Sequence, residues 1–263
     1  MLSSAGSVMV PVHCCKLAFF RGSASIGSRS MLRSITRLWD VNWSEEDISV
    51  LSTSEVRWFH EGKTAAKLRS WFRKLAARDG VKAEPQPLRV DHYLVERDTD
   101  ALGIKFREGR VEVKQRQGER RLISFGPGWD GYVETWRKWG FPLVDAQRRG
   151  EDLGSFDDWI AVRKKRRVIT YSISPRGKLI ALSGDADAEC GCSVELTQVC
   201  VEKTLWWTLG FEAKGHPEKL ESTLEQVARA VLNGSAPPTF EPTDSFGYPG
   251  LLQLLSKHAG ASK

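Results

Sequence analysis

Between Gly103 and Arg116 the chain reads Gly-Ile-Lys-Phe-Arg-Glu-Gly-Arg-Val-Glu-Val-Lys-Gln-Arg, alternating apolar and ionisable residues about a central Glu-Gly. Gly109 tolerates the positive φ of a tight hairpin, which predicts a two-residue turn at Glu108-Gly109. That turn sets Arg107 opposite Arg110, Lys105 opposite Glu112 and Gly103 opposite Lys114. Side chains alternate along a strand, so Lys105, Arg107, Arg110, Glu112, Lys114 and Arg116 share one face, and Ile104, Phe106, Val111 and Val113 share the other. Such a basic face can grip an anion carrying several charges, Arg through paired hydrogen bonds and Lys as a point charge. On a sheet with one wet side these residues are only a solvated surface. In a closed barrel they would line a cationic cavity.

The same parity test separates ionisable from apolar residues on other segments. Thr53, Glu55, Arg57 and Phe59 oppose Val56 and Trp58, and Arg89, Asp91 and Tyr93 oppose Val90, His92 and Leu94. Glu134, Trp136 and Lys138 share a face. The run Val162-Arg-Lys-Lys-Arg-Arg167 is basic on both faces, with Lys164 and Arg166 on the side of Ile160 and Val162. Glu195 and Thr197 oppose Val194 and Leu196, while Glu212 opposes Leu205, Trp207, Leu209 and Phe211.

The elements that must position these residues are mostly strands. Alternation and turn residues predict strands over 51–59, 88–95, 103–107, 110–116, 131–141, 159–173, 178–183, 193–201 and 204–212. Helical spacing places Ala65, Leu68, Trp71, Phe72 and Leu75 on one side of a helix over 64–78, ended by Asp79-Gly80. A second helix over 217–233 turns Leu220, Leu224, Val227, Val231 and Leu232 inward. Residues 142–157 have room for a short helix, residues 184–191 read as an acidic loop, and a short helix closes the chain. Phe246-Gly-Tyr-Pro249 would dock the tail on the barrel.

Tight turns between neighbours imply antiparallel pairing, and a sheet of this many strands curls, splits or closes. Two amphipathic helices need an apolar surface, which the outer face of a barrel would supply. The expectation is an α+β fold: a closed antiparallel barrel of eight or nine strands, a tunnel, with helices packed outside and charges within. Buried charges require pairing or hydration, which mixed bases and acids in a wet lumen provide.

Of 263 residues, 39 are basic and 33 acidic, for a net charge of +6 and a pI near 9.1. Five of the bases and none of the acids lie before Asp40, so the remainder carries only +1. Generic nucleic-acid binding loses its main support with that excess; what remains is Arg163–Arg167 beside exposed Trp, which could stack bases. The acid-free, Arg- and Ser-rich first 39 residues have the composition of a mitochondrial or plastid transit peptide. Met31 is an alternative start. No apolar run approaches a membrane span. Cys190, Cys192 and Cys200 lack the paired spacing of a zinc site and read as reduced, structural thiols.

The order of elements and the residues quoted resemble the CYTH superfamily, the triphosphate tunnel metalloenzymes, over residues 50–257. The superfamily opens with a Glu-x-Glu-x-Lys strand; here Thr53-Ser-Glu55-Val-Arg57 keeps the second acid and the terminal base and has Thr53 in place of the first Glu. The chain is more similar still to a branch, without an assigned substrate, that carries Glu-x-Arg-Trp-Phe and Gly-Ile-Lys-x-Arg-x-Gly-Arg. The resemblance implies phosphate-gripping roles for Arg57, Lys105, Arg107, Lys114, Arg116, Lys138, Lys164 and Arg166. It implies Mg²⁺ or Mn²⁺ held by Glu55, Glu212 and Glu112, with Glu195 as general base, and hydrolysis of a terminal phosphoanhydride. The incomplete first-strand motif leaves non-hydrolytic binding of a triphosphate, polyphosphate or nucleotide open beside it.

Overall fold

The computed structural model describes residues 48–96, 98–142, 159–182, 190–233 and 240–261, with side chains of the last helix described through residue 257. Among these residues there are ten strands: β1 (Ser49–Glu61), β2 (Arg89–Leu94), β3 (Leu102–Arg107), β4 (Arg110–Arg116), β5 (Arg121–Ser124), β6 (Asp130–Pro142), β7 (Trp159–Ile173), β8 (Leu179–Leu182), β9 (Gly191–Val201) and β10 (Thr204–Lys214). Eight of them form a closed antiparallel barrel in the order β1-β10-β9-β7-β2-β3-β4-β6, closed by pairing of β1 with β6. β5 and β8 lie outside this ring, paired with β6 and β7. Alternation predicts no strand at β5, whose four residues are too few to show a period.

The hairpin forms as its turn residues dictate. Glu108 and Gly109 both have positive φ, 50° and 74°, the pair of signs that a twist-compatible two-residue turn requires. Arg107 faces Arg110, Lys105 faces Glu112 and Gly103 faces Lys114.

Helix α1 (Ala66–Arg78) buries Leu68, Trp71, Phe72, Leu75 and Ala76, and α2 (Leu220–Leu232) buries Leu220, Leu224, Val227, Ala228, Val231 and Leu232. Ala65, expected on the buried side of α1, is exposed just before the helix begins. Both helices join one apolar cluster with the outward side chains of the barrel: Val56 and Trp58 from β1, Leu209 and Phe211 from β10, Val194 and Leu196 from β9, and Ile169 and Tyr171 from β7. Trp58 is the centre of this cluster, with Phe125, Trp129, Phe211 and Phe240 within 6.4 Å of its ring centroid. Apolar surface therefore lies outside and ionic surface inside, the inversion that two packed helices demand.

The third helix, α3 (Tyr248–Ala261), does something different. It lies at the end of the barrel where the inward positions become apolar: Phe59, Tyr93, Val162, Val199, Val201 and Trp206 cluster with Tyr248, Leu251 and Leu252. There β1 and β6 part company beyond the pair Glu55–Glu134. Ser245 bridges to Trp58 in the gap, the Phe246 amide donates to the Arg57 carbonyl, and the Tyr132 amide donates to Ser245 Oγ at 2.8 Å. The expected tunnel is thus a well, with a floor made by the tail.

Among the described residues no helix is long and apolar enough to cross a membrane. The leader over 1–39, most of the helix expected within 142–157 and most of the acidic loop over 184–191 lie outside the described residues.

Candidate functional site

Inside the barrel, four carboxylates are each shared by two cations. Glu55 pairs with Lys138 at 2.5 Å and Lys114 at 3.5 Å, and Glu112 with Lys105 at 2.7 Å and Arg107 at 2.5 Å. Glu195 pairs with Arg57 at 2.9 Å and Arg166 at 2.5 Å, and Asp91 with Lys164 at 2.7 Å and Arg89 at 3.1 Å. Two bases reverse the pattern: Arg116 lies between Asp100 and Glu134, at 2.8 and 3.0 Å, and Lys138 adds Glu212 at 2.6 Å to its contact with Glu55.

Every residue expected at the site takes a place in this network: Glu55 and Arg57 on β1, Lys105 and Arg107 on β3, Glu112, Lys114 and Arg116 on β4, Lys138 on β6, Lys164 and Arg166 on β7, Glu195 on β9 and Glu212 on β10. Thr53, standing where the family motif has an acid, donates its hydroxyl to Glu55 Oε1 at 3.1 Å. Gly210 lies between Arg57 and Glu195 in register, and a Cβ there would sit 2.6 Å from the Arg57 guanidinium carbon. Only glycine leaves room for Arg57 to cross its neighbouring strand to Glu195.

Solvent access is graded along the well. Arg107, Lys138 and Arg166 keep 25%, 23% and 24% of their side-chain surface, and Glu212 keeps 36%. Deeper in, Arg57, Glu195, Asp91 and Lys164 are buried. Lys164 Nζ sits 3.6 Å from the Tyr248 ring centroid and accepts no exposure, while donating to Tyr93 Oη at 2.8 Å. Lys114 stands 4.0 Å above the Trp136 ring.

Electrostatics follow from this packing. Burial pushes the Glu55 carboxyl up, but Lys114, Lys138 and Arg57 outweigh it and hold the group well below the usual carboxylate range. Burial is likewise outweighed at Glu195, by Arg57, Arg166 and Lys164. Burial lowers Lys164 well below the ordinary lysine value despite Asp91, and lowers Lys105 and Lys114 as well. Asp91 stays in the charged form because Lys164, Lys105 and Arg89 together overcome its desolvation. Among the acids of the barrel wall Glu134 departs from this: burial raises it, against the pull of Lys114 and Arg116.

These placements redefine some expected roles. A general base works best with a pKa near the operating pH, and Glu195 is held far below that while its oxygens are engaged by two arginines. Among the described residues no three acidic, histidine or cysteine side chains gather as a metal site. Glu55 and Glu212 face each other across β1 and β10 and meet at Lys138, whereas Glu112 is occupied by Lys105 and Arg107 on another part of the wall.

Arg89, Asp91, Tyr93, Glu134, Trp136, Thr197 and Tyr248 also face the site and are not among the expected site residues. Strand parity carried a signal for the first six. Tyr248 had none, since its position depends on the tail reaching back into the barrel. His60 is packed, stacked 4.5 Å from Trp207, and the three described cysteines are free thiols.

No protein-family model and no curated protein matches the chain. Among solved structures the chain is similar to a "putative adenylate cyclase" from Bacillus halodurans, at 14% identity and a TM-score of 0.30, over 70% of this chain and 94% of that one.

Proposed function

We propose that the barrel binds an oligophosphate, a triphosphate-bearing or polyphosphate anion, in its lumen, in keeping with the resemblance to the triphosphate tunnel superfamily. The observation that carries this reading is the sharing of each of Glu55, Glu112, Glu195 and Asp91 by two cations. With Asp100, Glu134 and Glu212 counted, nine bases meet seven carboxylates, so the wall keeps a net positive charge directed at the lumen and fixed in place by the acids. Among the buried polar atoms on inward positions that have no hydrogen-bond partner are Trp136 Nε1 and Thr197 Oγ1. An indole N–H can only donate, so its complement is an acceptor such as a phosphate oxygen or water. Calorimetric titration with linear tripolyphosphate tests the reading; heat of binding that weakens as salt rises is expected, and absence of binding at low salt would remove it.

Hydrolysis of the bound anion is the second reading, favoured by the row Glu212, Glu55 and Glu134 in register across β10, β1 and β6. Carboxylate oxygens are the ligands Mg²⁺ and Mn²⁺ take, and Glu55 and Glu212 already share one cation, the Lys138 ammonium. Those two residues would hold the ion, which when bound neutralises phosphate oxygens. Glu195 keeps the part of fixing Arg57 and Arg166. Phosphate release from tripolyphosphate, nucleoside triphosphates and thiamine triphosphate with either metal is the assay. Binding without release under every condition would leave a non-hydrolytic anion carrier.

A further inference from the structure

Two exposed bases on the outside of β7 lack the carboxylate partners of the lumen network. Arg163 and Lys165 project outward, on the opposite parity to Lys164 and Arg166. Among the described residues no carboxylate pairs with either. Arg163 has Val90 of β2 and Cys200 of β9 beside it in register, and Lys165 has Gln198 of β9. Glu84 and Glu202 lie only at the margins of this face, each with a lysine close in sequence, Lys82 and Lys203.

Next to the two bases stand exposed aliphatic side chains. Leu88, the residue before β2, keeps 64% of its surface, the most of any large apolar residue described, and Val90 keeps 37%. Neither belongs to the two apolar clusters of the molecule. The convex wall of a barrel offers no groove to an amphipathic helix, and β7 is paired on both sides here, so no edge is left for an added strand. Bases of a nucleic acid need rings to stack on. The outward ring of β7, Trp159, is half-buried, and Arg167 is drawn to the Ala83 carbonyl at 2.6 Å. Aliphatic tips flanked by unpaired cations match the boundary of an anionic bilayer, where apolar groups enter among the acyl chains and Lys and Arg meet headgroup phosphates.

We infer that the outward face of β2 and β7 docks on an anionic lipid surface, with Leu88 and Val90 inserted and Arg163 and Lys165 against the headgroups. This face is on the side wall, so docking leaves the mouth of the well open to solution. Full-length protein is sedimented with vesicles of phosphatidylcholine alone and of equal parts phosphatidylcholine and phosphatidylglycerol, at one ionic strength. The expected result is binding to the mixed vesicles and none to phosphatidylcholine alone. Replacing Arg163 and Lys165 together with Ala should weaken binding about 30-fold, as the loss of two charges near an anionic surface implies. Leu88→Ser should weaken it about tenfold with no change in charge, through the loss of one inserted aliphatic group. Both variants should keep the wild-type midpoint of thermal unfolding, because the altered side chains are exposed. Undiminished binding in either variant, equal binding to both kinds of vesicle, or no sedimentation of the wild type overturns the proposal. Binding of oligouridylate or polyglutamate that the double variant loses, without vesicle binding, also overturns it and gives the face to that partner.

Discussion

Arg57 reaches Glu195 across an intervening strand, at 2.9 Å, because residue 210 between them has no side chain. Gly210→Ala would place a methyl group 2.6 Å from the guanidinium carbon. The obstructed group is the far end of a flexible side chain, so the barrel should still form while the pair is broken. The expected loss is about 1.5–3 kcal/mol, the worth of a hydrogen bond to a charged group, read from urea unfolding. Wild-type stability in this variant would show that the pair contributes nothing.

Asp91 and Lys164 form the most deeply buried pair, at 0% and 1% side-chain exposure. Removing Lys164 leaves the buried Asp91 with Arg89 as its remaining cation, so Lys164→Met should destabilise the fold by somewhat less than the about 3–5 kcal/mol of a wholly unpaired buried charge. Adding Asp91→Asn should recover much of that, because the two sites share one interaction. A double-mutant cycle that proves additive would contradict the pairing.

Acid should weaken the fold in a defined window. Glu55 and Glu195 have folded pKa values below the unfolded carboxylate value. Such groups contribute stability that is fully present above the unfolded value and lost as pH falls toward the folded one. The contribution of these two groups to the unfolding free energy should be level above about pH 5 and decline below about pH 4. Glu134, raised by burial, works in the opposite direction and blunts the slope. In Glu195→Gln the decline should be shallower, and equal slopes in the two proteins would exclude Glu195 as a source.

Interior and exterior bases should behave differently toward tripolyphosphate. Lys114→Ala removes an inward ammonium and should weaken binding about 10- to 100-fold, the range of roughly 1.4–2.8 kcal/mol. Arg163 and Lys165 lie exposed on the outward parity of the same strand as Lys164. Replacing both with Ala should leave the affinity within about twofold, since exposed charges are screened over about 10 Å at 0.1 M salt. Equal losses for the two variants would put the anion on the outside.

Gly131 tests the outer core. A Cβ at this position would stand 2.5 Å from Trp58 Cζ2 and 2.8 Å from Val56 Cγ2, both fully packed. Gly131→Ala should cost about 1–3 kcal/mol as an overpacked core does. The measurement is the midpoint of thermal unfolding, and an unchanged midpoint would mean that the cluster yields easily.

Local chemistry made much of this legible. The Glu108-Gly109 turn set the hairpin register, and a period of two sorted Lys105, Arg107, Glu112, Lys114 and Arg116 onto one face before any partner was known. Two amphipathic helices then required the apolar face to be outside. What alternation does not encode is where a strand's inward side changes character. Phe59 and Val162 share parity with Arg57 and Lys164, yet lie at the floor, and only the arrival of Tyr248 and Leu251 from the far end of the chain makes that intelligible. The same limit applies to ionic partners: parity put Glu195 inside, but its engagement by Arg57 and Arg166 depends on strand order.

The gap between β1 and β6 has a consequence for how the molecule is made. Trp58 and Arg57, in the first of the described strands, have Ser245 and Phe246 as backbone neighbours. A ribosome delivers that segment long after β1, and β10, which pairs the opposite edge of β1 from β6, only shortly before it. Until then the opening strand has an unpaired flank and a Trp without its surroundings, the kind of exposure that invites association between nascent chains. Contacts this distant in sequence also slow closure. Refolding of the full chain should be slow, and removal of the tail should trap an open, sticky barrel; both are measurable by stopped-flow fluorescence of Trp58 and its neighbours.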